Sequence, residues 1–390
     1  FIWGPLGDRF GRKPPILAGL VLFIIGAAGC ALSDTIWQMI GARIVQALGA
    51  CAGPVLARAM VRDQFGREKR KLRISVTDRC NFKCVYCMPE HPEWMKKQDL
   101  LSFEALLLFC QYMVKQGIEN IRITGGEPLM RQGVVHFIRD LQSLRVLGLK
   151  RISITTNAHY LAKYAEALKQ AGLDDLNISL DSLDPDQFKQ LTKKELTPVL
   201  NGIEAAKKAG LAFKINCVLM KGQNDDQILP MVKWAKQHNI PLRFIEFMPL
   251  DGDQHWTDQA VVSEAEILAQ LQPFYQIQVL QQQHEPARQY QLDGQYCIGI
   301  ISTITHSFCG DCDRIRLTAQ GELYNCLFAQ QGLNIKPYLQ AVIKQKQLAQ
   351  DINDQELDQQ IKPYIWHKAK GYHAIKHQQV RKISMHMLGG

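Results

Sequence analysis

The sequence predicts an α/β chain. A partial (β/α)6 TIM-like barrel is followed by a C-terminal region whose cysteine group suits a metal cluster, and preceded by a two-helix hairpin of transmembrane character. Three observations predict this. Short β-rich runs recur between helical segments, these runs alternate apolar with polar residues, and two long uncharged stretches lead the chain. At 390 residues and 46% hydrophobic, the chain can build a real core, which excludes wholesale disorder. Its 11 cysteines are too sparse for a small disulfide-stapled scaffold.

The hairpin comes first. Residues 14–33 carry no charge, and residues 35–57 carry only Arg43. Each stretch is about the 20 residues that a helix needs to cross a bilayer. Their Gly- and Ala-rich composition suits lipid better than a soluble core. Arg9, Arg12 and Lys13 precede the first stretch. Arg58, Arg62, Arg67, Lys69 and Arg70 lie at or beyond the end of the second, and the connection at Ser33, Asp34 and Thr35 has no cation. The positive-inside rule then puts both ends in the cytoplasm, with membrane insertion of residues 14–60 and everything after residue 70 cytoplasmic. The first 70 residues hold a net charge of +5 and the rest +4, so much of the basic excess is flanking charge, and no nucleic-acid partner is expected.

After residue 70 the texture changes. β-rich runs occupy residues 71–77, 120–124, 151–156, 175–180, 212–219 and 241–248, and helical segments such as 160–171 and 225–238 lie between them. That order reads as successive βαβ units with a parallel sheet. Leu72, Ile74, Ile121, Ile123, Ile152 and Ile154 fall on one face, opposed by Arg73, Ser75, Arg122, Thr124, Ser153 and Thr155. The apolar face belongs under helices, so the polar face points inward. Inward Arg73, Arg122 and Lys214 would be costly without counter-charge, so the lumen should hold a polar, anionic ligand. The competing arrangement is a flat sheet with one solvated face.

Six cysteines form two groups: Cys80, Cys84 and Cys87 directly after the first strand, and Cys309, Cys312 and Cys326 near the C-terminus. Close thiolate spacing suits a metal cluster, and three ligands per cubane leave one iron open. A structural Cys3His zinc site completed by His306 stays open for the second group. Cys30, Cys51, Cys110, Cys217 and Cys297 read as core or membrane filler. The Gln-rich segment 344–360 reads as a solvated helix without chemistry.

These residues carry resemblances. GPLGDRFGRK (4–13), RIVQALG (43–49) and GPVLARAMVRDQFGRE (53–68) resemble the drug-resistance branch of the major facilitator superfamily over about 65 residues. A transporter needs paired six-helix halves, so transport is not expected from this piece. The first cysteine group with Tyr86, and GGEP (125–128), resemble the radical S-adenosylmethionine superfamily. Together with LRISVTDRCNFKCVYCMP (72–89), NISLDSL (177–183), RFIEFMPL (243–250), SFCGDCDRIRLTAQGELYNCLF (307–328) and the tail Gly389-Gly390, they resemble the GTP 3',8-cyclase family from residue 63 onward.

The resemblance implies a 4Fe-4S cluster on Cys80, Cys84 and Cys87 that chelates S-adenosylmethionine, with Tyr86, Gly126, Ser179 and Met248 as cofactor contacts. It implies a second 4Fe-4S cluster on Cys309, Cys312 and Cys326 that anchors guanine. GTP contacts would be Arg73, Arg122, Thr155, Lys214, Arg314, Ile315 and Arg316, and the tail would reach the active site. The implied partners are GTP as substrate, an external electron donor, a downstream cyclic pyranopterin monophosphate synthase and a second copy in a homodimer. The expected division is 1–62 transporter-like fragment, 63–300 barrel and 301–390 second-cluster region. Other readings stay open: another two-cluster radical enzyme acting on peptide or RNA, or a non-functional membrane-anchored fusion. DQFGRE (63–68) serves both resemblances, so the chain reads as a fusion at shared short homology. Its start at Phe1 suggests an incomplete N-terminus.

Overall fold

The computed structural model describes residues 3, 13–56, 70–250, 256–280, 286–306, 312–347, 355–366 and 385–389. The shared DQFGRE string, Cys309 and Gly390 lie outside them. Packing divides the chain into two compact units, Phe1–Glu68 and Lys69–Gly390.

The first unit is a helical hairpin of α1 (Lys13–Ala31) and α2 (Ile36–Ala50). Thr35 caps α2 in a reciprocal capping box with Gln38. The two backbones approach closely at glycine. A Cβ on Gly26 would come within 2.4 Å of the Gln46 backbone nitrogen, and one on Gly49 equally near that of Phe23. The outer surface carries Leu17, Leu20, Val21, Ile24, Ile25 and Trp37, each more than half exposed. Two helices, Lys13–Ala31 and Ile36–Leu56, are long and apolar enough to cross a membrane.

The second unit is built on β1 (Lys71–Ser75), α3 (Phe103–Lys115), β2 (Asn120–Thr124), α4 (Val134–Leu141), β3 (Arg151–Thr156), α5 (Leu161–Gln170) and β4 (Asp175–Ser179). It continues through α6 (Pro185–Thr192), α7 (Thr197–Lys208), β5 (Ala212–Leu219), α8 (Ile228–Gln237) and β6 (Leu242–Glu246). β1 to β6 pair in parallel and in sequence order. The first, fourth and sixth strands are shorter than their β-rich runs. At the first, Thr77 leaves the ladder because its carbonyl accepts the Gly126 N–H at 2.7 Å.

The outer face matches the alternation. Leu72, Ile74, Ile121, Ile123, Ile152, Ile154, Leu176 and Ile178 are fully buried under the helices. The sheet extends beyond six strands. After α9 (Glu264–Leu271) come β7 (Ile277–Val279), β8 (Arg288–Leu292) and β9 (Tyr296–Ile301), and then β10 (Arg314–Leu317), β11 (Glu322–Tyr324) and β12 (Leu333–Asn334). β9 adds in parallel beside β6, and β10 adds in parallel beside β1. The second cysteine region therefore belongs to the same twelve-stranded sheet as the barrel.

Among the described residues three helices follow: α10 (Lys336–Gln347), α11 (Gln355–Trp366) and the short α12 (Met385–Leu388). Part of the Gln-rich segment lies on α11 and is not simply solvated. Leu357 and Ile361, four residues apart, are buried, and Tyr112 Oη donates to Asp358 at 2.6 Å.

Candidate functional site

The inward ends of β1 to β6, β9 and β10 enclose one cavity. Arg73, Arg122, Thr155, Arg314 and Arg316 line it, as do Tyr86, Gly126, Ser179, Met248, Cys80, Cys84, Cys87, Cys312 and Cys326. Register explains the cation cluster. Arg73 stands opposite Arg122 on one side and Arg316 on the other, while Arg314 pairs with Lys71. Arg316 is only 2% exposed. Burial, then Arg316, Arg122 and Arg314, hold the Arg73 guanidinium well below its ordinary pKa. Arg122 is pushed down to about 10, mainly by burial. Its Nε donates to Ser153 Oγ at 3.1 Å, and the Asn177 carbonyl oxygen, with the amide turned toward it, accepts from the same guanidinium at 3.0 to 3.2 Å.

Two of the expected GTP contacts stand apart. Lys214 pairs in register with Asn177 and is not among the cavity-lining residues; burial, then Arg243, push it down to about 8. Ile315 buries its side chain completely in the core, because it alternates with Arg314 and Arg316, so only its backbone is left for a ligand.

The carboxylates on the cavity are already engaged. Glu246 accepts from the backbone N–H of Ile304 at 2.8 Å and of Thr305 at 3.0 Å, and from Thr305 Oγ1. Asp181 accepts from Tyr86 Oη at 2.7 Å and from the Val218 N–H at 2.9 Å. The lumen therefore presents guanidinium charge to whatever occupies it.

The first cysteine loop follows β1 and is braced by the GGEP loop after β2. Gly126 N–H donates to Thr77 O, and Glu127 N–H donates to Arg79 O at 2.8 Å. A Cβ on Gly126 would lie 2.4 Å from Arg79 O, so only glycine permits this approach. Burial, then Glu127, push the Cys80 thiol up to about 12; burial also raises Cys84, with Asp181, Cys87 and Cys80 adding, and Cys87, with Cys80 and Asp181 adding. Thiols in such surroundings need a positive group to become thiolates, and an iron–sulfur core supplies it. The three are free cysteines on one cavity wall, so the donor set fits such a core. Among the described residues no three His, Cys, Asp or Glu side chains could hold a single metal ion.

Of the second group, Cys312 and Cys326 line the cavity, and Arg314 Nε donates to Cys312 Sγ at 3.4 Å. His306, the alternative zinc ligand, is not among the lining residues. At the tail, Met385 lines the cavity, and a Cβ on Gly389 would overlap the Thr124 side chain. Cys110 and Cys217 are core residues as expected, whereas Cys297 is exposed on β9.

Several cavity residues lie in strings that carry the family resemblance, Asp181 also on the inward polar face, but the sequence assigned them no role. Arg243 on β6 adds a further cation, Asp181 anchors Tyr86, and Asn157 joins β3 to the first cysteine loop. Arg243 could have been found from the alternation of β6, but Ile245 beside it on the same face blurs the pattern.

Comparison with known proteins gives three family matches. Residues 74–235 match the Radical SAM superfamily, 240–374 match Molybdenum Cofactor Synthesis C, and 1–77 match the Major Facilitator Superfamily. The GTP 3',8-cyclase of Listeria monocytogenes serovar 1/2a is 41% identical over 302 residues, covering 76% of this chain and 90% of that protein. The GTP 3',8-cyclase of Staphylococcus haemolyticus is 35% identical over 350 residues, covering 85% and 99%. Among solved structures, SuiB of Streptococcus suis bound to S-adenosylmethionine superposes with a TM-score of 0.54 at 15% identity, covering 76% of this chain and 70% of that one. That likeness shows the fold.

Proposed function

The chain belongs to the GTP 3',8-cyclase family of the radical SAM superfamily, and on that premise we propose that its second unit converts GTP to (8S)-3',8-cyclo-7,8-dihydroguanosine 5'-triphosphate, the first step of molybdenum cofactor biosynthesis. One observation carries the reading. A single cavity gathers four arginines from β1, β2 and β10 together with cysteines of both groups. Cys80, Cys84 and Cys87 hold one 4Fe-4S cluster, and Cys309, Cys312 and Cys326 hold the second. When bound, the clusters and S-adenosylmethionine would supply reducing and radical chemistry and an anchor for guanine.

The chain's own residues bind, orient and shield. Arg73, Arg122, Arg314 and Arg316 hold the triphosphate, because a guanidinium fork gives paired hydrogen bonds to phosphate oxygens. An anionic ligand relieves part of their mutual repulsion, which ties the ligand's charge to order in the barrel. Thr155 offers a hydroxyl from β3, and Lys214, outside the lining, adds only long-range positive potential. The Gly126 backbone, Tyr86, Ser179 and Met248 surround S-adenosylmethionine, and Asp181 keeps the Tyr86 ring in place. Enclosure by the sheet keeps water from reactive carbon centres.

The hairpin supports a second, local reading: α1 and α2 lie in a bilayer with both ends on the cytoplasmic side. An exposed apolar surface of this extent is costly in water and suits lipid.

The test uses the full chain, reconstituted without oxygen with iron and sulfide. We expect two 4Fe-4S clusters and release of 5'-deoxyadenosine that depends on GTP, S-adenosylmethionine and a strong reductant. One cluster plus stoichiometric zinc would refute the two-cluster assignment. Release of 5'-deoxyadenosine that ignores GTP would refute the substrate.

A further inference from the structure

We propose that the Asn157 carboxamide sets the reduction potential of the cluster carried by Cys80, Cys84 and Cys87, through an N–H···S hydrogen bond to Cys80. The proposal rests on the reading of the first cysteine group given above and deepens it.

Asn157 follows the last residue of β3, is 8% exposed and lines the cavity. Its side chain is oriented by a network. Its backbone N–H donates to Glu127 Oε2 at 2.8 Å, and its Oδ1 accepts the His159 N–H at 3.1 Å. Glu127 is itself held by Thr156 Oγ1 at 2.8 Å and the Leu129 N–H at 3.0 Å. With Oδ1 committed to His159, both Nδ2 hydrogens face the cysteine loop. One donates to Asn81 Oδ1 at 2.9 Å and the other to Cys80 Sγ at 3.7 Å. Cys80 also accepts the Phe82 N–H at 3.4 Å, a backbone contact that no side-chain substitution removes. Asn157 is thus a side-chain donor held on the sulfur by the buried Glu127 and the half-buried Asn81, partners from two other loops.

The electrostatic consequence has a definite sign. Reduction adds an electron to the cluster and increases negative charge on its sulfurs. A fixed N–H donor stabilises the reduced state more than the oxidised one, and the effect grows where water is excluded. Asn157 therefore raises the potential and eases delivery of the electron that cleaves S-adenosylmethionine. It is a positioning residue and takes no part in bond breaking.

The experiment compares the reconstituted full chain with Asn157→Ser, Asn157→Ala and Asn81→Ala by redox titration read by electron paramagnetic resonance. The first cluster is recognised as the one whose signal changes when S-adenosylmethionine is added. Serine can still accept from His159 but is too short to reach Cys80; alanine removes both contacts and serves where serine fails to assemble. We expect either Asn157 variant to keep its iron content and show a more negative midpoint. Asn81→Ala, which retains the donor to Cys80, should keep the wild-type midpoint. An unchanged midpoint in the Asn157 variants overturns the proposal, as does an equal shift in Asn81→Ala, which would assign the effect to loop geometry. A wild-type signal indifferent to S-adenosylmethionine would overturn the superfamily reading as well, so the two failures are told apart.

Discussion

Arg316 shows most plainly what the site costs. It is almost fully buried beside Arg73, whose guanidinium is held down by burial and by its arginine neighbours. Arg316→Met should weaken GTP binding by about 10- to 100-fold, the worth of a charged hydrogen bond. Calorimetry with GTP checks this. Glu127 supplies a pH signature. Burial pushes it up to about 7, above the ordinary carboxylate value of 4.5, so the folded state holds its proton longer than the unfolded chain. Stability from this group is fully present below about pH 4.5 and is lost as pH rises through 7, by roughly 3 kcal/mol at most. Thermal melts from pH 5 to 8 should show that decline, and Glu127→Gln should flatten it. The arginines on β1 and β2 were legible from alternation and Arg314 and Arg316 from their motif, but the Tyr86–Asp181 bond joins residues 95 positions apart and leaves no local trace.

At the scale of elements, the cysteine loop and the GGEP loop work as a pair. Neither is regular structure, and each supplies the other's hydrogen-bond partners. Gly126→Ala would drive a methyl group into Arg79 O and Asp78 O, so the loops must part. We expect at least a tenfold rise in the KM for S-adenosylmethionine, with iron content nearly intact; steady-state kinetics at saturating GTP reads it. A wild-type KM would show that the backbone absorbs the methyl group. β1 to β6, though not β7 to β12, were readable to within a residue or two because a two-residue period is local. The docking of α11 was not. Its buried pair, Leu357 and Ile361, is thin within a Gln-rich stretch, and its polar anchor is Tyr112, far away on α3.

At the scale of the molecule, the chain joins an apolar hairpin to an α/β unit. Compactness separates the two near residue 68, and the cavity is lined entirely from the second. Deleting residues 1–69 should therefore leave GTP turnover within about twofold of the full chain while moving the protein from the membrane fraction to the soluble one. Cell fractionation followed by a turnover assay checks this. A full chain found wholly in the soluble fraction would refute the bilayer reading of α1 and α2. The sequence by itself determined the inventory and its local order: which residues alternate inward, which thiols are spaced for a cluster, and where uncharged helices end in cations. Those properties follow from covalent spacing and from the periods of helix and strand. Only the tertiary structure decided that β10 lies beside β1, which brings Arg314 and Arg316 against Lys71 and Arg73, and that β9 lies beside β6. Strand pairing is made by backbone groups that are alike in every residue. The choice of neighbour and register is set by how distant side chains pack, and no local pattern records that choice.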